Sequence, residues 1–144
     1  MDAPPPELAR DYRFLRTRHP YQHQVDSWLT LAEPVPQSLV VASGTGSGKT
    51  ECFMVPILDR LVRQHAQRAQ GGSLTGVRAL FLYPLNALIN SQRERLRAWT
   101  HAFGGDIRFC LYNGNTPDSE PARVRQAHPN EVLDRVSLRA APPP

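Results

Sequence analysis

Ser38-Leu39-Val40-Val41-Ala42-Ser43-Gly44-Thr45-Gly46-Ser47-Gly48-Lys49-Thr50 is the stretch from which the rest of the chain can be read. Its first five residues are a brief apolar run with β-branched members, which predicts a buried strand. A glycine turn follows at 43–48. From Lys49 the apolar residues change to a helical period, with Met54, Ile57, Leu58, Leu61 and Val62 on one stripe. Strand, glycine turn and helix in that order are the setting of a phosphate loop. The strict pattern G-x-x-x-x-G-K-[ST] asks for glycine at 43, where serine stands, and the remainder matches. The residue types suit the chemistry. Gly44, Gly46 and Gly48 let the backbone curl until its amide N–H groups converge on a phosphate. The helix that starts near Lys49 adds the positive end of its dipole. Lys49 supplies a compact point charge for the β- and γ-phosphates of a nucleotide, and Thr50 a hydroxyl for Mg²⁺. The hydroxyls of Thr45 and Ser47 either bond phosphate oxygens or stay solvated.

Outward from this loop the chain alternates. Upstream, Val25, Trp28, Leu29 and Ala32 follow one helix face from about Gln22, and Pro34 and Pro36 stop it. Pro56 lies inside the helix after the loop and should loosen its early turns, because it deletes a backbone hydrogen bond. Residues 68–77, with Gly71, Gly72 and Gly76, read as a loop. Ala79-Leu80-Phe81-Leu82-Tyr83 reads as a second buried strand ended by Pro84. A helix is expected from about Asn86 to Thr100. Leu85, Leu88, Ile89, Leu96 and Trp99 mark its inner side, Arg93, Glu94, Arg95 and Arg97 its outer side, and Gly104-Gly105 its stop. Ile107, Phe109 and Leu111 alternate with Arg108, Cys110 and Tyr112, the pattern of a third strand. The remainder reads as loop plus a short helix over 129–139, with Pro129 in its first turn. Strands separated by helices imply a parallel sheet with right-handed crossovers, which binds ligands at the carboxyl ends of its strands.

Composition narrows the class. A chain of 144 residues, 40% hydrophobic, fits one small domain with a core of its own. It contains no apolar run of the ~18 residues a membrane span needs and no signal-peptide pattern at its N-terminus, so a cytoplasmic protein is expected. Cys52 and Cys110 stand far apart, which argues against a zinc knuckle or a disulfide scaffold. The formal net charge is +4, and Lys49 is the single lysine among 17 Lys and Arg residues. Such a balance suits an anionic partner such as a nucleic acid. Of the 14 prolines, triplets at 4–6 and 142–144 open and close the chain in extended conformation.

Three further segments carry a family resemblance. His19-Pro20-Tyr21-Gln22-His23-Gln24 resembles the Q motif of superfamily 2 helicases of the DEAD/DEAH-box type, in which a glutamine reads the adenine edge. Gln24 is the match and Gln22 its rival; an amide both donates and accepts, as adenine requires. The loop resembles motif I of that superfamily, A-x-x-G-x-G-K-T, with Ser43 in the alanine place. Tyr83-Pro84-Leu85-Asn86-Ala87-Leu88-Ile89-Asn90-Ser91-Gln92 resembles motif Ia, P-T-R-x-L-x-x-Q, with Asn86 where many members carry arginine or lysine. Leu111-Tyr112-Asn113-Gly114-Asn115-Thr116 resembles the Y-x-G-x-T stretch. In wording the chain is similar to large bacterial helicases, both RecQ-like repair enzymes with a zinc domain and Druantia-type defence helicases.

The resemblance implies a partial RecA-like, P-loop NTPase α/β fold: a parallel sheet flanked by helices. Residues 1–18 would be an extended lead-in and 19–144 the N-terminal part of the ATP-binding domain. It implies ATP and Mg²⁺ as cofactors, held by Gln24, Gly44, Thr45, Gly46, Ser47, Gly48, Lys49 and Thr50. It implies nucleic acid as partner, DNA ahead of RNA, with Pro84, Asn86, Gln92, Gly114 and Thr116 near the strand backbone. Hydrolysis in such enzymes needs a Walker B acidic pair. No two acidic residues are adjacent in this sequence, so the chain is expected to be a portion of a longer helicase that stops before the Walker B strand. Its neighbouring strands would then expose apolar faces and unpaired edges. The alternatives are a small P-loop phosphotransferase or nucleotide kinase, and a non-catalytic nucleotide-binding remnant.

Overall fold

Three helices form where the apolar period asks for them. A computed structural model describes residues 17–35, 37–68, 74–84 and 86–144; most of the expected lead-in, 1–18, and Leu85 lie outside the described residues. The chain divides into two compact units, 14–64 and one that contains 65–144.

The first unit contains α1, Gln22–Leu31, and most of α2, Lys49–Ala66, with the glycine turn before it. The helix α2 runs unbroken through Pro56 and buries Cys52, Met54 and Leu61. That matches two members of the expected stripe. The helix α1 departs from expectation. Leu29 and Ala32 are exposed, whereas Gln24 and Ser27 are buried. The inward face is turned toward polar residues whose hydrogen bonds are satisfied: Ser27 Oγ donates to the His23 carbonyl at 2.6 Å, and Trp28 Nε1 donates to the Glu51 carbonyl at 2.9 Å. Those bonds offset the cost of burying polar groups.

The apolar run 38–42 is not a buried strand, and neither is 79–83. Neither run has strand conformation in the structure, and Val40 (92% exposed), Leu80 (77%) and Leu82 (83%) face solvent. A strand is made by its ladder, so β-branched content alone does not create one.

The second unit contains α3, Asn86–Thr100, and a 3₁₀ turn, His101–Phe103. These are followed by β1, Phe109–Cys110; α4, Ala122–Ala127; β2, Glu131–Val132; and α5, Arg135–Ala140. Gly104 closes the 3₁₀ turn with φ +53°, the glycine stop that was expected. Leu88, placed on the inner side of α3 by its period, is exposed. The expected third strand is present as β1. It pairs in parallel with β2, Phe109 opposite Glu131 and Cys110 opposite Val132, and α4 lies in the crossover. The helix expected over 129–139 is corrected to a strand followed by a shorter helix. Asp134 separates them: its carboxylate accepts from the Ser137 amide at 2.6 Å and caps α5. Leu74, Ile107, Phe109 and Val132 form the apolar core of this unit, with Asn130, Glu131 and Asp134 buried beside them. Among the described residues no helix is long and apolar enough to cross a membrane.

Candidate functional site

In the first unit, the glycine turn is held by contacts within that unit. Gly46 (φ +75°) and Gly48 (φ +73°) occupy the left-handed region, where a side chain is strained. A Cβ at Gly46 would meet open space, whereas one at Gly48 would strike the side-chain amide of Gln24. Gly48 is thus required twice, by its dihedral and by its neighbour. Thr45 and Gly46 form the tip, and Ser47 Oγ donates to the Gly44 carbonyl at 2.8 Å and accepts from Ser43 Oγ at 2.6 Å. Ser43, which breaks the strict loop pattern, therefore has a local use: it clasps the turn.

Lys49 and Thr50 are the first two residues of α2. The Lys49 ammonium donates to the carbonyls of Ser43, at 2.9 Å, and Gly44, at 2.5 Å. The charge thus folds back over the turn and satisfies its oxygens. Among the described residues the Thr50 hydroxyl makes no side-chain hydrogen bond. That leaves it available to a cation.

Gln24 is fixed at both ends. Its Oε1 accepts from the Tyr21 amide at 2.9 Å, as the third residue of a capping box, and its Nε2 donates to the Gly48 carbonyl at 3.0 Å. Its neighbour His23 approaches the Ser47 carbonyl through Nε2 at 2.9 Å, the geometry of a donated bond, and stacks on Tyr21 with centroids 5.6 Å apart. Adjacent residues of α1 therefore hold adjacent carbonyls of the turn. Sequence reasoning gave Gln24 a ligand-facing role and missed His23; the only signal was the His-Gln pair at the helix start. The rival, Gln22, instead donates to Asp26 at 2.7 Å on the exposed side of α1.

The second unit carries the other predicted residues. Pro84 is exposed just before α3. Asn86 opens that helix, but its side chain lies outside the described residues. Gln92 has a buried Oε1 with no hydrogen-bond partner among the described residues. Gly114 and Thr116 lie in the loop after β1. Thr116 is buried: its Oγ1 accepts from the Asn113 amide at 2.9 Å and donates to the Leu111 carbonyl at 3.1 Å. Its hydroxyl shapes the loop.

Around that loop is a network in which two arginines share one buried carboxylate. The Glu131 side chain, 1% exposed, accepts from Arg93 Nε and Arg97 Nε, each at 2.6 Å. Asn130 Nδ2 donates to the Arg97 carbonyl and to Thr100 Oγ1, so β2 is bolted to α3. Burial, with Glu131 and Asp134 adding to it, pushes the Cys110 thiol up to about 11. That thiol is therefore protonated at neutral pH and is a poor nucleophile. No cluster of three metal-ligating side chains occurs among the described residues.

Comparison with known proteins places these features in context. The family described as DEAD/DEAH box helicase matches residues 20–133. The chain is 38% identical over 113 residues to the Druantia protein DruE of Escherichia coli (strain UMEA 4076-1), covering 69% of the chain and 6% of that protein. It is 29% identical over 107 residues to the uncharacterized ATP-dependent helicase YprA of Bacillus subtilis (strain 168), covering 74% of the chain and 13% of that protein. It is 30% identical over 128 residues to the ATP-dependent RNA helicase DBP7 of Meyerozyma guilliermondii, covering 85% of the chain and 17% of that protein. The chain thus spans a small part of each relative. No solved structure matches it.

Proposed function

The chain belongs to the DEAD/DEAH box helicase family, and from that premise we propose that residues 43–50 take up the triphosphate of ATP for a nucleic-acid helicase. One observation carries the reading: the only lysine of the sequence opens α2 directly behind a turn with two glycines at positive φ, its ammonium already over the turn carbonyls. Backbone amides of 44–50 and the α2 dipole would receive the phosphates. Lys49 would exchange its bonds to Ser43 and Gly44 for phosphate oxygens. Mg²⁺ would be held by the Thr50 hydroxyl and would neutralise charge on the triphosphate.

Gln24 is the second element of the proposal. Its Nε2 ties α1 to the Gly48 carbonyl. To read adenine, as the resemblance implies, its amide would use its second N–H and the second lone pair of Oε1. In the second unit, Pro84, Asn86, Gln92, Gly114 and Thr116 are proposed to lie along a single strand, DNA ahead of RNA. The amides at the start of α3 are suited to phosphates. Hydrolysis coupled to movement along that strand belongs to a whole protein of which these residues are a part. With no adjacent acidic pair in the sequence, the 144 residues alone should bind nucleotide and not turn it over.

The test is binding of a fluorescent ATP analogue with magnesium to the chain and to Lys49→Ala. Saturable binding lost in the variant supports the reading; equal binding by both refutes it.

A further inference from the structure

Resting on the strand-binding reading above, we propose that the second unit takes one unstacked nucleobase of the bound strand into a pocket between α3 and the loop after β1. The cavity measures about 260 Å³, and Asn90, Asn113, Asn115, Leu111, Pro117 and Leu133 are among its lining residues. Its chemistry selects against a phosphate. The one cation in the lining is Arg93, and its Nε is bound at 2.6 Å to the buried Glu131 carboxylate. The Glu131 carboxylate lines the same cavity, so an anion there would meet a buried negative charge beside an arginine whose Nε is already in use.

What the pocket offers instead is amides. Asn113 uses its Oδ1 on the Asn115 amide at 2.9 Å, which leaves its two N–H groups. Asn90 and Asn115 make no side-chain hydrogen bond among the described residues, so each presents both a donor and an acceptor. Leu111, Pro117, Val132 and Leu133 supply apolar walls beside Thr116 and the Arg93–Glu131 pair. Amides of mixed polarity beside apolar walls match a flat, neutral heterocycle whose edge both donates and accepts and whose faces are apolar. A phosphate or a sugar hydroxyl lacks those faces. The loop is also shaped in advance: the Thr116 hydroxyl is spent on Asn113 and Leu111, and Glu131 fixes α3 against β2. The pocket therefore needs little reorganisation to receive a base. It stands beside the segment proposed to follow the backbone, within reach of one nucleotide turned out of the stack.

The experiment compares labelled single-stranded DNA with a strand of the same length and charge that carries abasic sites, at one fixed salt concentration. Fluorescence anisotropy is read for the chain, for the double variant Asn90→Ala/Asn115→Ala, and for Asn90→Trp. Circular dichroism checks that each variant is folded. Both positions are exposed, and Asn90→Trp fills the cavity from the surface of α3 without touching the buried Glu131. The parent should bind the base-bearing strand about tenfold tighter than the abasic one, and in both variants that ratio should fall toward one. Equal affinity of the parent for the two strands would overturn the base pocket and leave strand binding intact. A preference unchanged in both variants would also overturn it. If neither strand binds, the strand-binding reading fails and the inference fails with it.

Discussion

Replacing Gln24 by glutamate separates two roles that the same side chain has been given. The shape is kept, and so is the bond accepted from the Tyr21 amide at 2.9 Å. The donor is lost: an oxygen would stand where Nε2 now gives a hydrogen bond to the Gly48 carbonyl at 3.0 Å. Gln24 is buried, so the change removes a bond worth about 1 kcal/mol and sets two acceptors against each other, a further penalty of about 1–3 kcal/mol. The Gly48 carbonyl retains its bond from the Glu51 amide, at 3.2 Å, which places the total near the lower end, about 2 kcal/mol. If the variant's turn leaves its present shape and must regain it on binding, that is a loss of up to roughly thirtyfold in affinity, at about 1.4 kcal/mol for each factor of ten. The assay is competition by ATP, GTP and inorganic triphosphate against a fluorescent nucleotide, with magnesium, on parent and Gln24→Glu. If Gln24 acts by holding the turn, all three ligands lose affinity by the same factor. A loss confined to ATP would refute that argument and make Gln24 a reader of the base.

Three further outcomes follow from the second unit and the exposed segments. Glu131→Gln should destabilise the chain by about 3 kcal/mol in urea unfolding, because Arg93 and Arg97 lose the carboxylate that both now share; an unchanged midpoint would contradict the clamp. Burial would raise the Asp134 carboxyl, yet hydrogen bonds from Ser137, the Glu120 amide and Arg125 outweigh it and hold the group below its ordinary range. The folded state therefore prefers the carboxylate, so this contribution is complete above the ordinary aspartate pKa and is lost as pH falls through the lowered one. Asp134→Ala should cost about 1–2 kcal/mol at neutral pH, and the gap to the parent should close in acid; a gap constant with pH would contradict the assignment. Leu80→Lys/Leu82→Lys should suppress aggregation in light scattering while leaving the unfolding midpoint within about 0.5 kcal/mol of the parent, since both side chains are exposed; a fall in midpoint would show that the pair is packed.

Much of this architecture can be read from the residues, and the exceptions share a cause. Local signals were reliable: α2 begins at Lys49 and α3 spans Asn86–Thr100, as the helical period and the glycines dictate. Strands depend on partners remote in sequence. The runs 38–42 and 79–83 have the composition of buried strands, but neither is a strand, and Val40, Leu80 and Leu82 are exposed. Conversely, Glu131–Val132 is a strand because Phe109–Cys110 lies beside it, although Pro129 and the spacing through 139 suggested a helix. In α1 the period pointed to Leu29 and Ala32, while hydrogen bonds to the turn drew Gln24 inward. Loop residues 44–50 stand together where the motif placed them. That the Gln24 amide is used on Gly48, and that three asparagines line one pocket with Arg93 tied to Glu131 beside them, depends on tertiary contacts that no spacing records.

The account rests on main-chain amides of 44–50 receiving a triphosphate, and backbone amide NMR tests that directly. Inorganic triphosphate with magnesium is titrated into ¹⁵N-labelled chain. The amide resonances of Gly46, Gly48, Lys49 and Thr50 should shift together along one saturable curve, and Lys49→Ala should abolish the shifts. Resonances of 44–50 that stay in place throughout the titration of a folded sample would contradict it.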